Sequence, residues 1–343
     1  MMKSLPDLSV ILVHWNGERF IGNCLESLSR QNTSRSFEVV LVDNCSSDKS
    51  VEIAERFRKK QMALRIIRND FNAGFAEANN QGVRKAKCRY CLLLNVDTKV
   101  SPSFVSDVLA ELERNKGVAL MGIDTLNRDG LPESRRLGTT SVVLTNVFNL
   151  PVKMPFYFAG CCVLVDKVQL GEPFDADYFA YGEDTYLAWK ARLMGKKLAF
   201  TKRPKVWHFQ GGTGSKVPDV VAFHAQKNRL MNFLIFYSAG TLLKLLPLFL
   251  LSISSQMLWE SVHFRRSALM RMKAALWAAA NIGGMLRKRK KLQAMRGIGD
   301  ESITTAMTCK VKAGHSIRIK IANAASLAYC RLFGIKTVEM TMR

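Results

Sequence analysis

The sequence predicts an α/β fold, a mostly parallel central sheet between helices, followed by a helical appendage of different character. Three observations carry this reading. Short apolar runs alternate with helical patterns through the first 200 residues, the rhythm of a parallel sheet whose crossovers are helices. Several of these runs stop abruptly at Asn or Asp, and in open α/β sheets ligands bind outside the carboxyl ends of the strands. The third observation is charge: the net charge is +23, and residues 201–343 alone hold 24 Lys and Arg against 5 Asp and Glu. The basic excess therefore lies outside the alternating half.

The first strand is expected over residues 8–13, and His14-Trp15-Asn16-Gly17 turns from it into a helix over 18–30 whose Phe20, Ile21, Cys24, Leu25 and Leu28 share one face. A second strand over 38–43 ends in Asp43, and Asn44-Cys45-Ser46-Ser47-Asp48 supplies capping side chains for a helix to about residue 60. A short third strand, 64–68, leads through Asn69-Asp70-Phe71-Asn72-Ala73-Gly74-Phe75 into a helix ending near Lys85. Next comes Tyr90-Cys91-Leu92-Leu93-Leu94-Asn95-Val96-Asp97-Thr98, an uncharged apolar run that reads as a buried strand opening onto polar groups. An Asp just past such a strand can hold a divalent metal over a phosphate, although Asn and Asp also end strands as plain turn residues. Ser101-Pro102 then opens a helix to about residue 115, with Pro at its first position. No GxGxxG follows the first strand, which argues against a dinucleotide-dehydrogenase site.

Residues 117–155 read as loop-rich, with a hairpin turn at Asn127-Arg128-Asp129-Gly130. Another buried strand is expected over 156–165, around Gly160-Cys161-Cys162. Tyr181-Gly182-Glu183-Asp184 opens a helix carrying Leu187, Ala188, Ala191 and Leu193, and its two carboxylates serve either the helix dipole or general-base chemistry. A strand over 197–201 leads to Val206-Trp207-His208, and His208 precedes a Gly-rich loop, with Gly211, Gly212 and Gly214, whose amides can approach an anion such as a diphosphate. The 8 cysteines are scattered through mostly apolar segments, and no signal peptide precedes the first strand, so a reducing cytosol is expected. Cys88 and Cys91 form one CxxC with no companions to complete a zinc set.

Residues 10–16, Val42-Asp43-Asn44 with Ser46, Ser47 and Asp48, Asn72-Ala73-Gly74-Phe75, Leu94-Asn95-Val96-Asp97-Thr98, Tyr181-Gly182-Glu183-Asp184 and Trp207-His208 with its glycines resemble, in that order, the pattern of family 2 glycosyltransferases. They are most similar to the rhamnosyltransferase-like branch of bacterial polysaccharide and lipopolysaccharide assembly. Each motif taken singly has a cheaper explanation as a cap or a turn; their joint order carries the resemblance, which covers about residues 7–230. It implies a GT-A nucleotide-diphospho-sugar transferase fold, a nucleotide-sugar donor, a divalent cation (Mg²⁺ or Mn²⁺) and inversion at the anomeric carbon. It also implies that Asn16, Asp43, Asn72, Gly74, Asn95 and Gly212 contact the nucleotide sugar. Asp97 matches the last Asp of an Asp-x-Asp motif and would bind the metal, with His208 beside it. Asp184, or its neighbour Glu183, matches the catalytic base. Asn95 stands where that motif has its first Asp, one negative charge fewer, so a modest metal affinity is expected.

Lys227-Asn228-Arg229 is expected to start a helix that passes into an apolar stretch, 242–259, interrupted by Lys244 and Pro247. The charge-free part from Leu245 is shorter than the ~20 residues of a membrane span, so a clean span is not expected. A second apolar stretch, 274–286, is closed by Arg287-Lys288-Arg289-Lys290-Lys291, with Arg265, Arg266, Arg271 and Lys273 between the two. Such helices suit the surface of an anionic bilayer; a helical hairpin packed on the catalytic domain is the other reading. Residues 311–321 alternate like a strand, and no function attaches to them. The expected organisation is thus a catalytic domain over 1–230, a basic, apolar helical membrane-associating region over 231–300 and an extension over 301–343. The leading expectation is a metal-dependent sugar transferase, peripheral on the inner face of the cytoplasmic membrane. By resemblance it moves rhamnose from dTDP-rhamnose to a glycan or lipid-linked acceptor. A nucleic-acid-binding protein is a second reading of the charge, disfavoured because the basic residues lie beside long apolar stretches rather than between exposed aromatics. An inactive sugar-nucleotide-binding relative is a third.

Overall fold

A computed structural model describes residues 6–59, 62–133, 139–147, 154–210, 217–312, 314 and 316–341. In chain order the first elements are β1 (Leu8–His14), α1 (Glu18–Ser29), β2 (Phe37–Asp43), α2 (Ser50–Lys59), β3 (Leu64–Arg68), α3 (Gly74–Lys85), β4 (Tyr90–Asn95) and β5 (Thr98–Val100). After them come α4 (Phe104–Arg114), β6 (Val118–Ile123), β7 (Thr139–Thr140), β8 (Asn146–Val147), β9 (Cys162–Asp166), α5 (Lys167–Leu170), α6 (Glu183–Leu193), β10 (Lys197–Thr201) and β11 (Val206–His208). The remainder is helical: α7 (Pro218–Phe236), α8 (Ala239–His263), α9 (Arg265–Ala280), α10 (Ile282–Ala294), α11 (Asp300–Thr304), α12 (Ile317–Leu332) and α13 (Val338–Thr341). Two compact units interleave along the chain. The first comprises Met1–Arg135, Phe158–Glu183 and Lys196–Gly212; the second comprises Arg136–Tyr157, Asp184–Gly195 and Thr213–Arg343.

The first unit is built on a seven-stranded sheet in the order β10-β6-β9-β4-β1-β2-β3. β1 pairs in parallel with β2 and β4, β2 with β3, and β10 with β6, while β9 runs antiparallel between β4 and β6. The expected mostly parallel sheet is therefore present, and the reason is legible in β1, whose seven residues are all buried, as a strand covered on both faces must be. On one face Leu8, Val10 and Leu12 pack with Ile21, Cys24, Leu25 and Leu28 of α1. Each such side chain taken fully out of water contributes about 1.5–3 kcal/mol.

Three local expectations change. Residues 117–155 are not uniformly irregular, because Val118–Ile123 is a fully buried strand enclosed by β10 and β9. A six-residue apolar run without alternation gives no periodicity to distinguish it from other buried segments. The turn at Asn127 to Gly130 is as expected, with Gly130 N donating to Asn127 O at 3.0 Å and Asn127 N to Leu131 O at 2.9 Å. α4 starts at Phe104, not at Pro102; a preliminary turn, in which Phe104 N donates to Ser101 O at 3.1 Å, occupies the residues before it. The strand expected over 156–165 begins only at Cys162.

The second unit is mainly helical. α7 begins at Pro218, so Lys227, Asn228 and Arg229 lie buried within a helix rather than at its start. Arg229 remains there because its guanidinium is nearly saturated: Nε and Nη2 donate to Val143 O at 3.1 and 2.9 Å, Nη2 to Ser252 Oγ at 2.8 Å and Nη1 to Gln256 Oε1 at 3.1 Å. Part of the basic run also has internal work. Arg289 donates to Leu234 O and, at 2.6 Å, to Tyr237 O, while Gln293 donates to Ile235 O and Phe236 O, both at 2.9 Å. These groups satisfy carbonyls at the end of α7 that have no partner within their own helix. α8 is 25 residues long and, by length and composition, sufficient to cross a membrane, and little of its apolar stretch is buried. The helix runs on through Lys244 and Pro247, which the charge-free count treated as interruptions. The described residues among 311–321 form no strand; Ser316 Oγ accepts from Ile319 N at 3.4 Å and starts α12, whose Ala-rich sequence favours helix over the alternation.

Candidate active site

The polar strand ends of the first unit meet in a set of linked loops. Asn16 follows β1 with φ of 52°, a left-handed conformation that Asn tolerates better than most residues. Its Oδ1 accepts from Ser47 N at 2.9 Å and its own N–H donates to Ser46 Oγ at 2.9 Å, which ties the loop after β1 to the loop after β2. Asp43 is buried at the end of β2; its Oδ1 accepts from Ser46 N at 3.1 Å and lies 3.4 Å from His14 Nε2. Burial disfavours a charge on His14 more strongly than Asp43 and Asp48 favour it, so its pKa is lowered and the imidazole is neutral.

Asn44 was read as a cap for α2, but its side chain serves the neighbouring loop. It donates to Asn72 Oδ1 at 2.8 Å and Gly74 O at 3.1 Å, and accepts from Asn69 Nδ2 and Ala73 N, both at 3.0 Å. The α2 end is capped by Asp48, whose Oδ1 accepts from Ser50 N at 3.0 Å. Asn72 Oδ1 also accepts from Gly74 N at 2.9 Å, forming the turn into α3. Gly74 has φ of +84°, and a Cβ there would meet the Phe179 ring at 2.5 Å and Phe179 Cα at 2.8 Å. Only glycine leaves room for the segment that leads, through Tyr181 and Gly182 at positive φ, into α6.

Asn95 ends β4 and its N–H donates to Cys161 O at 2.9 Å. Two residues on, Asp97 is only 9% exposed. Its neighbour Thr98 opens β5, a short strand absent from the sequence reading, which pairs antiparallel with β11 so that His208 stands opposite Thr98. Phe209 N donates to Asp97 O at 2.8 Å and extends that ladder by one bond. Main-chain register thus brings His208 Nε2 to 3.5 Å from Asp97 Oδ2.

Glu133, which no sequence pattern marked, completes the cluster. Its Oε2 lies 3.3 Å from His208 Nδ1 and accepts from Thr125 Oγ1, and its Oε1 accepts from Gln210 Nε2. Burial pushes the Glu133 carboxyl up, but the hydrogen bonds from His208 and Thr125 outweigh it and hold the pKa below the usual value. Burial likewise disfavours charge on His208, yet contacts with Asp97, Cys161 and Glu133 push its pKa up to about 12. The imidazole ring thus lies between two carboxylates, Glu133 at Nδ1 and Asp97 at Nε2, a setting that calls for positive charge. Potential ligand atoms of Glu133, Cys161 and His208 all lie within 4.8 Å of one another.

This donor set fits a divalent cation. Two adjacent ligands on one octahedral Mg²⁺, each ~2.1 Å from it, stand about 3 Å apart, close to the Asp97–His208 separation of 3.5 Å. Carboxylate oxygen and imidazole nitrogen are ligands that Mg²⁺ or Mn²⁺ accepts, and either ion would answer the demand for positive charge.

Glu183 is the last residue of the first unit and Asp184 the first of its stretch in the second. Asp184 Oδ1 accepts from Thr185 N at 2.7 Å, yet burial dominates and pushes its carboxyl up to about 6. Of the residues singled out in the sequence, Asp97 and His208 are brought into contact, Asn72 and Gly74 share one turn, and Asn16 and Asp43 both hold the loop after β2. Gly212 lies outside the described residues.

Residues 9–169 match the family described as glycosyl transferase family 2. Among similar proteins are the uncharacterized glycosyltransferase EpsJ of Bacillus subtilis, 34% identical over 112 residues, and the poly(ribitol-phosphate) β-N-acetylglucosaminyltransferase TarS of Staphylococcus aureus, 30% identical over 129 residues. These matches cover 33% and 37% of this chain, and 32% and 22% of the respective relatives. The fold resembles the crystal structure of S. aureus TarS 1–349, with a TM-score of 0.53 at 18% identity over 95% of this chain and 90% of that one. It also resembles the mannosyltransferase PcManGT from Pyrobaculum calidifontis in complex with GDP-Man and Mn²⁺, with a TM-score of 0.52 at 15% identity over 99% and 88%.

Proposed function

The chain belongs, through residues 9–169, to glycosyl transferase family 2, and we propose that it transfers a sugar from a nucleotide-sugar donor to a glycan or lipid-linked acceptor with inversion at the anomeric carbon. The observation that carries this reading is the 3.5 Å approach of His208 Nε2 to Asp97 Oδ2 just beyond the end of β4. The structural neighbour described with GDP-Man and Mn²⁺ supports the same reading.

Asp97 and His208 hold the cation. When bound there, it supplies Lewis-acid stabilisation of the departing diphosphate oxygens. Asp43, Asn16 and Asn72, on the loops after β1, β2 and β3, contact the nucleoside, and Asn95 and Gly212 the phosphates or sugar. Gly74 acts through the turn it permits. Asp184, rather than Glu183, is the general base: its carboxylate takes the acceptor hydroxyl proton as that oxygen bonds to the anomeric carbon. The bond from the same carbon to the diphosphate oxygen breaks in that displacement, which inverts the configuration. A carboxyl pushed up to about 6 suits this task, since it is ionised near neutrality and basic enough to accept a proton.

The motif pattern favours dTDP-rhamnose as donor. The test is nucleoside diphosphate release from a panel of dTDP-rhamnose, UDP-GlcNAc and GDP-mannose with Mg²⁺ or Mn²⁺ and membrane lipid extract. Release from one donor, abolished by EDTA and by Asp97→Ala, supports the reading and names the donor. Silence across the panel with the acceptor extract overturns it.

The second unit is proposed to lie on the inner face of the cytoplasmic membrane. Leu243, Leu246, Leu250, Leu251, Leu258 and Val262 are exposed along α8, and Leu269, Met272 and Leu276 along α9, with Arg265, Arg266 and Lys273 exposed among them. Acceptors carried on lipid would be met at that surface.

A further inference from the structure

We propose that Glu133 is a positioning residue for the cation site: with the cation bound it holds His208 as the Nδ1–H tautomer, so that the Nε2 lone pair serves the cation beside Asp97, and it returns the negative charge missing at Asn95. The proposal rests on the reading of Asp97 and His208 as cation ligands. Neutral imidazole has one N–H and one lone pair, and the hydrogen bond made by one nitrogen decides which role the other takes. The acceptor at Nδ1 is Glu133 Oε2, at 3.3 Å. Nε2 lies 3.5 Å from the other carboxylate, Asp97 Oδ2; once Nε2 gives up its proton to serve the cation beside Asp97, the proton left on the ring is the one at Nδ1 that Glu133 Oε2 accepts. A carboxylate behind a metal-binding imidazole both orients the ring and raises its basicity.

Three features separate this role from that of a direct ligand. Glu133 already accepts from Thr125 Oγ1, Gln210 Nε2 and His208 Nδ1, so its oxygens are committed to protein donors. Main-chain bonds fix its position, with Glu133 N donating to Thr125 O at 2.6 Å and Leu126 bridging both Pro132 and Trp207. The same strand segment fixes His208, whose N–H donates to Leu126 O at 2.8 Å. The backbones at both ends of the Glu133–His208 bond are thus tied to the same segment, which brings the two side chains within reach of each other. Asn95 carries no charge where the resemblance expects an Asp, and Glu133, acting through the imidazole, restores a second carboxylate to the field of the cation.

The experiment is Mn²⁺ binding, followed by electron paramagnetic resonance, to the wild-type protein and to Glu133→Gln, Glu133→Ala and Asp97→Ala. Glu133→Gln is expected to weaken Mn²⁺ about 10-fold or more, the range seen when a carboxylate behind a metal-binding imidazole is removed. Wild-type protein that binds no Mn²⁺, or binds it as tightly as Asp97→Ala does, overturns the cation site itself. Clear wild-type binding lost in Asp97→Ala but unchanged in Glu133→Gln overturns the role of Glu133 alone. A readout on the unaltered protein covers the case in which the variants fail to fold. In ¹⁵N-histidine-labelled wild type with Mg²⁺, His208 is expected to show a protonated Nδ1 and an unprotonated Nε2. The reverse tautomer overturns the proposal.

Discussion

His208 Nε2 stands 3.5 Å from Asp97 Oδ2 because the backbones of the two residues belong to one short antiparallel ladder, His208 opposite Thr98 and Phe209 N bonded to Asp97 O. The pair is therefore fixed by register. A slip of one residue would turn His208 to the other face of its strand and carry the imidazole away from the carboxylate.

Removing either member of this pair should weaken cation binding while leaving the sheet intact. Asp97→Ala and His208→Ala are expected to weaken Mn²⁺ at least about 10-fold and to lower the transfer rate more than about 100-fold, the scale associated with losing a preorganised electrostatic group. Calorimetric Mn²⁺ titration with transfer assays at saturating metal separates the two effects. Unchanged Mn²⁺ affinity in both variants would rule the pair out.

Asp184 gives a prediction in pH. Its carboxyl is pushed up to about 6 by burial, so it must lose its proton before it can act as a base. The transfer rate should rise with pH through about 6 and then level off, and Asp184→Asn should cost about 10²–10⁴ in kcat with donor affinity unchanged. Stability runs the other way. A carboxyl whose folded pKa exceeds its unfolded value stabilises the fold below the unfolded pKa, and that contribution is lost as pH rises through about 6. Asp184→Asn should accordingly melt above wild type at pH 8, with the difference closing towards pH 4. A variant less stable than wild type at pH 8 would contradict the burial on which the assignment depends.

Gly74→Ala tests the turn before α3. With φ of +84° and Phe179 Cα 2.8 Å from the added Cβ, relief requires moving backbone, not only a flexible side chain. Left-handed strain of ~1–2 kcal/mol and overpacking of ~1–3 kcal/mol together give a loss of about 3 kcal/mol. Urea denaturation measures it. A loss below about 1 kcal/mol would mean that the Phe179 segment yields easily, and Gly74 would then be free to meet the donor instead.

What the sequence revealed of the site depended on whether a residue's role was local. Asp97 was visible because an uncharged apolar run stops there at polar groups, although the carboxylate itself is largely buried, and His208 because it adjoined a Gly-rich loop. Gly74 and Asn72 were visible as a turn, but the partners that make them necessary, Phe179 and Asn44, lie far along the chain. Glu133 was invisible for the same reason: no short-range pattern connects it with His208, and only the loop that returns Glu133 N to Thr125 O brings them together. β1 to β4 were legible as buried apolar runs, whereas β6 lay between loops and lacked a period. Arg289 was read as part of a basic surface run, and Arg229 only as a helix start, because composition cannot distinguish a cation facing water from one facing a row of carbonyls.

The exposed apolar line of α8 yields the last prediction. Leu243, Leu246, Leu250, Leu258 and Val262 recur at intervals of three, four or a multiple of four, so they follow one side of the helix, while Leu245, Phe249 and Ile253 on the other side are buried. Arg265, Arg266 and Lys273 are exposed close by in the chain. A bilayer with anionic headgroups answers both features, the acyl chains meeting the leucines and each basic residue adding about 1 kcal/mol. The protein should float with vesicles containing phosphatidylglycerol and much less with phosphatidylcholine alone, and added salt should weaken but not abolish binding, since only the charge component is screened. Leu250→Glu with Leu258→Glu should release it without altering Mn²⁺ affinity, because the cation ligands belong to the first unit. Flotation unchanged by the double substitution would exclude this side of α8 as the membrane contact. Salt-sensitive binding to DNA without any binding to vesicles would instead assign the basic surface to nucleic acid.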